Sequence, residues 1–438
     1  MTTRREFLKS SAMMTAASMA GIAGAPQFAF GQSAGGKTFI KVFMRGGADG
    51  LHLFPPVFDP IYYQHRPNIA IEAPMGNDAN RAIDIGDNYR AMNPNLEPLM
   101  EIWDAGRMMV APATAFEDGN RSHFDNQRWI GNGDRDNVID GYLNRYMQLF
   151  DGVDDPLRGA VLGKTDISRE AVGRIVVPAI QDRNGFDVEN RNFCSGSGCA
   201  DNQLTELMRE ISSHPVLESS TMEASVRDNQ IIMLDSITQV QEAGENYTTN
   251  AGGLEYSNSR LGRGLRLAAQ LLKAGVPLEV AAMDWNVGWD SHSNQIPGGN
   301  GANRFADQNF TYNRRIREGA TDFLTFYRDI RDILDNVVVL VGTEFGRTVL
   351  ENGSRGTDHG FASSWFAFGG PTSPGLADDI TTLDRDQLHQ SRFTPSRTEY
   401  RDLVAEIMIR HMNMPDNLVS QVFPDHTFTN NNLFSRTS

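Results

Sequence analysis

"KTFIKVFMRGGADG", residues 37–50, decides the fold. Phe39, Ile40, Val42 and Phe43 form a β-rich apolar run that stops at two glycines and then delivers Asp49 between Ala48 and Gly50. A continuous rather than alternating run predicts a strand covered on both faces, as in a parallel sheet with helices on either side. Asp is depleted in strands and costly to bury unpaired, so a carboxylate at the end of such a strand calls for a partner.

The same pattern, an apolar strand followed by a loop rich in Gly, Asp, Asn, Ser or His, recurs in three places. These are "RMMVAPATAFEDGNRSHFDNQRWIG" (107–131), "VPLEVAAMDWNVGWDSHSNQ" (276–295) and "DNVVVLVGTEFGRT" (335–348). In open α/β sheets, functional groups sit in loops beyond the carboxyl ends of the strands, and all four loops fit that position. Helices are predicted over "SRLGRGLRLAAQLLKAG" (259–275), closed by Gly275, and over 219–247, 321–335 and 399–412. Residues from about 150 to 255 read as a helical insertion. No internal repeat or long low-complexity linker appears, so residues 38–430 are expected to form a single α/β domain with a mostly parallel central sheet and helices on both faces.

With 438 residues, 40% of them apolar, the chain can bury a sizeable core. Its N-terminus reads as a cleavable twin-arginine export signal over residues 1–31. Thr3, Arg4, Arg5, Glu6, Phe7, Leu8 and Lys9 match the pattern position by position, and the Ala/Met/Gly-rich run that follows is too weakly apolar for a stable membrane span. The expectation is a periplasmic or secreted protein that meets the twin-arginine export machinery. Such cargo crosses the membrane folded, often with a cofactor or metal already loaded.

Without those 31 residues, 37 basic side chains face 54 acidic ones, a net charge of −17. That surface repels nucleic acid and anionic lipid. An anionic substrate would need local positive charge to overcome it. Cys194 and Cys199, separated by a Gly/Ser loop, read as a small disulfide clip in an oxidising compartment, with a two-cysteine metal site as the alternative.

The four loops and the segment after the last of them gather candidate ligands and acid/base groups: Asp49; Ser122, His123 and Asp125; Asp290 and His292; Glu344 and Arg347; Asp358 and His359. Carboxylate oxygen and imidazole nitrogen suit zinc, manganese or iron. Asp290 and His292, two apart, project to one side of an extended segment, as two ligands to one ion. Asp358 and His359 are adjacent and point apart in regular structure. Arg347 either orients an anionic oxygen or pairs with Glu344. Plain structural roles compete: Asp49 as a turn or cap residue, Ser122 as the N-cap of a helix starting at His123. The other six histidines, His52, His65, His214, His389, His411 and His426, fit no such constellation and read as structural or surface residues.

"FMRGGADGL", "SHFDNQRWIGNG", "GWDSHSNQ", "EFGRTVLENGSRGTDHG" and "YRDLVAEI" occur in order, and the chain from about 38 to 425 resembles the secreted family named domain of unknown function 1501. That family is similar to the alkaline phosphatase and sulfatase superfamily. The resemblance implies an alkaline phosphatase-like fold with one or two divalent ions (zinc, manganese or calcium) above the sheet. Asp49 would be the first ligand, Ser122 the nucleophile, and Asp290, His292, Asp358 and His359 later ligands, with His123 a ligand or proton carrier. Two places depart from the superfamily pattern. The Asp290–His292 spacing is short, and Glu344–Phe345 stands where an Asp–His pair is usual, so Glu344 would replace that ligand.

The expected function is an exported metal-dependent hydrolase of phosphate or sulfate esters acting on a small anionic substrate, with Ser122 attacking and Arg347 holding the anion. The alternatives are a non-catalytic binding or assembly protein that keeps the fold, and a redox enzyme with one iron on a His/carboxylate set.

Overall fold

The computed structural model describes residues 36–76, 78–135, 138–150, 155–186, 203–212, 221–298, 304–377 and 379–434. The signal expected over 1–31 and the cysteine pair lie outside them. Residues 38–43 form β1 (Thr38–Phe43), every position of which is buried. The other three expected strands are β2 (Met108–Ala115), β5 (Val280–Asp284) and β6 (Val337–Gly342).

Five more strands complete the sheet: β3 (Gly159–Leu162), β4 (Ala179–Ile180), β7 (Ser363–Gly369), β8 (Gly375–Leu376) and β9 (Thr398–Glu399). The order is β4-β3-β5-β1-β6-β7-β2-β8, with β9 also paired to β2. β1 lies between β5 and β6, parallel to both, with Ile40 opposite Ala281 and Val339. β7 is antiparallel to β6 and to β2. β2 therefore runs in the same direction as β1, β5 and β6, and the carboxyl ends of all four meet at one edge of the sheet.

β1, β2, β5 and β6 each bury both faces, which is why their apolar runs are continuous. Ile40 and Val42 pack with Val339 and Val341, under Leu265 and Ala268 of the helix Arg260–Lys273 and Phe323 of the helix Thr311–Asp329. Phe39 and Phe43 pack on the opposite face with Leu340 and Trp365. That face is covered by Trp129 of the helix His123–Asn132 and by Leu403 and Ile407 of the helix Tyr400–Arg410.

The helix expected over 321–335 begins earlier, at Thr311, ends at Asp329, and reaches β6 through a 3-10 turn over Arg331–Asn336. The 150–255 segment holds helices over Gln203–Ser212 and Thr221–Gly244 and also supplies β3 and β4 at the sheet edge. Among the described residues no helix is long and apolar enough to cross a membrane.

Candidate metal centre

Three loops at the carboxyl edge carry His123, Asp290 and His359 to one point, each offering one ligand atom within 4.8 Å of the others, and place His292 beside them. His123 opens the helix His123–Asn132, which Trp129 and Ile130 anchor in the core and Ser122 caps by accepting from the Asp125 N–H at 3.4 Å. Asn126 of the same helix donates to the Glu344 carbonyl (3.3 Å), tying the helix to the end of β6. After β5, fully buried Trp289 donates its indole N–H to the Trp285 carbonyl (2.7 Å) and pins the loop that presents Asp290 and His292. Between β6 and β7 the chain doubles back. Arg347 and His359 form an antiparallel bridge, Thr348 N–H donates to the Asp358 carbonyl (2.9 Å), and His359 returns over the sheet edge.

The Nε2 atoms of His123 and His292 each lie 3.0 Å from His359 Nε2. Asp290 Oδ1 lies 3.1 Å from His359 Nε2, 3.0 Å from His292 Nε2 and 3.5 Å from His123 Nε2. Among His123, Asp290 and His359 the separations are 3.0, 3.1 and 3.5 Å, close to the distance of about 3.3–3.4 Å between donors on a tetrahedral zinc ion with bonds of about 2.0–2.1 Å.

The outer nitrogens fix the protonation state. His123 Nδ1 is 2.7 Å from Glu344 Oε1, His292 Nδ1 is 3.2 Å from Asp358 Oδ1, and His359 Nδ1 is 2.9 Å from the Arg121 carbonyl. Burial pushes the Glu344 carboxyl upward, but hydrogen bonds from His123, Gln127 and the Gly46 N–H outweigh it and hold the group below the usual range. At Asp358, too, burial is outweighed, here by Asn352 and His292. Both are therefore carboxylates and, like the carbonyl, can only accept. An acceptor behind a ring favours a proton on Nδ1, which turns Nε2 toward Asp290 as the atom able to bind an ion.

Burial and the neighbouring His123 lower the His359 pKa, so that ring resists becoming an imidazolium. The hydrogen bond that His123 makes to Glu344 raises the His123 pKa. Two imidazoles and a carboxylate suit a zinc or transition-metal ion better than calcium, which prefers oxygen.

Arg347 is fully buried. It donates to Asp290 Oδ1 (2.8 Å) and to the Thr357 carbonyl (2.7 Å), so it fixes the carboxylate ligand rather than facing a substrate anion. Phe345, also buried, lies against two of the imidazoles, 4.7 Å from His123 and 4.9 Å from His359 between ring centroids. The outer face is open: Asp290 and His292 side chains are each 46% exposed, leaving room for a further ligand from solvent.

The structure thus brings together His123, Asp290 and His359, with His292 against Asp290 and His359, places Glu344 and Asp358 one step behind, and puts Arg347 on Asp290. Asp49 stands apart, which corrects its reading as the first ligand. Its oxygens accept from Arg66 Nη1 (2.7 Å) and Nη2 (3.0 Å) and from Gln295 Nε2 (2.7 Å). Burial alone would raise its pKa; the Arg66 guanidinium lowers it below the usual value. Ser122 takes the capping role its sequence position also allowed. Gln127, the Arg121 carbonyl and Phe345 support the ligands, and their types and spacing give no sign of it in the sequence.

Residues 135–423 match the family described as protein of unknown function DUF1501, and the chain belongs to it. No curated protein matches the chain.

Proposed function

We propose that this is an exported metal-dependent hydrolase of phosphate or sulfate esters, with an alkaline phosphatase-like fold and one ion held by His123, Asp290 and His359. The observation that carries the reading is the convergence of two imidazole Nε2 atoms and a carboxylate oxygen, each imidazole backed by an acceptor. A zinc, manganese or iron ion there supplies Lewis-acid polarisation of an ester oxygen and acidifies water. Glu344 and Asp358 hold the tautomers, Arg347 keeps Asp290 ionised and aimed, and Phe345 excludes water from beneath the rings. Solvent enters from the open side. Because Ser122 caps its helix, water rather than Ser122 makes the attack in this reading. Arg4 and Arg5 in the signal pattern support export.

A binding protein that keeps the ion without turnover is the second reading, favoured by the commitment of Asp49 to Arg66 and of Ser122 to its cap. The test is metal analysis of protein exported with its own signal, with assays on nitrophenyl phosphate mono- and diesters and nitrophenyl sulfate. One ion per chain is expected, with hydrolysis lost in His359→Ala and Asp290→Asn and retained in Ser122→Ala. Metal-free folded protein rejects both readings of the cluster; bound metal without ester hydrolysis selects the second.

A further inference from the structure

Arg45, two residues beyond β1, joins two elements through its guanidinium. Nε donates to Asp284 Oδ2 at the end of β5 (3.0 Å), and Nη1 donates to Gln127 Oε1 on the helix His123–Asn132 (3.3 Å). Asp284 is buried and also accepts from the buried Lys164 Nζ at 2.9 Å. Arg45 is therefore anchored on a carboxylate that is itself held in place.

Gln127 passes that anchorage on. Its amide nitrogen donates to Glu344 Oε1 (2.8 Å), the same oxygen that lies 2.7 Å from His123 Nδ1. A guanidinium only donates and a carboxylate only accepts, so the amide is oriented from both ends, oxygen toward Arg45 and nitrogen toward Glu344. Hydrogen bonds to charged groups are about twice as strong as neutral ones, and along a buried chain each polarises the next. Gln127 and His123 stand one turn apart on the same helix face, so a Gln127 held at both ends steadies the turn that presents His123.

Glu344 supplies an independent reason for the chain. It is 1% exposed, and among the described residues His123 is its one partner at ion-pair distance, with no Lys or Arg in reach. A buried carboxylate without a cation is costly. Arg347 meets that need for Asp290 by direct contact (2.8 Å); Arg45 meets it for Glu344 across one amide.

We infer that Arg45 is a positioning residue of the metal centre: with Asp284 behind it and Gln127 ahead of it, it holds Glu344 on His123 and so sets how tightly an ion is bound. The inference rests on the metal centre of the proposed function and not on ester hydrolysis.

The test is a double-mutant cycle on the full chain. Zinc affinity is read by chelator competition, the cobalt(II) absorption spectrum is recorded alongside, and urea unfolding of the metal-free protein is the control. Gln127→Ala and Arg45→Ala should both weaken zinc binding; partners directly behind a ligand are worth about 10–100-fold, and Arg45, one step further out, about 3–10-fold. The combined variant should bind zinc no more weakly than Gln127→Ala alone, because Arg45 acts through Gln127. Arg45→Lys keeps the charge beside Asp284 but lacks the planar fork that spans Asp284 and Gln127, so it should fold and shift zinc affinity and the cobalt spectrum in the same direction as Arg45→Ala. Wild-type zinc affinity and cobalt spectrum in both Arg45 variants, whatever their urea midpoints, or additive losses in the combined variant, overturn the role of Arg45 alone. Wild-type protein that binds no zinc overturns the centre and the inference together.

Discussion

Asp49 and Arg66 are both at most 1% exposed, and together with Gln295 they satisfy one another under the loop that follows β1. Removing one partner of such a pair leaves a buried charge unpaired, which typically costs about 3–5 kcal/mol. Asp49→Asn should therefore lower unfolding stability by that amount in urea denaturation while leaving metal stoichiometry unchanged; loss of metal with unchanged stability would return Asp49 to the ligand set. Glu344→Gln makes the opposite contrast. It keeps the side-chain shape but weakens the acceptor behind His123, so metal affinity should fall about 10–100-fold, measured by chelator competition. Sequence reading recognised that a carboxylate at this strand end needs a positive partner. It could not choose between a metal ion and Arg66, because no local residue pattern shows that the Arg66 guanidinium folds back onto Asp49.

Between β1 and the helix Gly50–Leu53, the turn uses Gly46 and Gly47 for close approach as much as for bending. Both have positive φ, +124° and +67°. A Cβ on Gly46 would stand 2.9 Å from the Asp290 N–H nitrogen, and one on Gly47 would stand 2.5 Å from the Phe345 ring. The turn thus presses on the loop carrying Asp290 and on the ring packed against His123 and His359. Gly47→Ala should displace Phe345, lowering both stability, by about 1–3 kcal/mol for overpacking and a left-handed Ala, and metal affinity. Wild-type values for both would show that the turn does not support the centre. The four strands with continuous apolar runs could be read, whereas β3 and β4, of four and two residues, are too short to show a period, and β7, though seven residues long, opens on Ser363 and Ser364 and escapes that reading. The doubling back of the β6–β7 loop, which returns His359 beside Arg347, depends on backbone pairing such as the Gly346 N–H to the Phe361 carbonyl (2.8 Å), and no local residue pattern encodes that.

Across the whole molecule, two histidines outside the centre set the response to acid. His52 is buried with neither ring nitrogen partnered. His411 is buried too; its Nε2 donates to the Thr38 carbonyl (3.1 Å) and its Nδ1 is unpartnered. Burial lowers the pKa of each from 6.5 to about 4. Between those values the unfolded chain binds protons that the folded chain refuses, so stability rises with pH across pH 4 to 6.5 and is lost as pH falls through that window. A depression of this size corresponds to about 3 kcal/mol for each group, a large share of the 5–15 kcal/mol typical of a folded protein. Asp49, whose pKa is also depressed, adds a loss at lower pH, below its unfolded value of 3.8. Urea midpoints measured from pH 7 to 4 should therefore fall, less steeply than the two histidines alone would give, because burial raises the Asp322 carboxyl to about 6 and its protonation in the folded state opposes the loss. His52→Leu should flatten that fall, since its proton uptake on unfolding is removed and no hydrogen bond is lost. An unchanged slope in His52→Leu would show that His52 is not held neutral in the folded state.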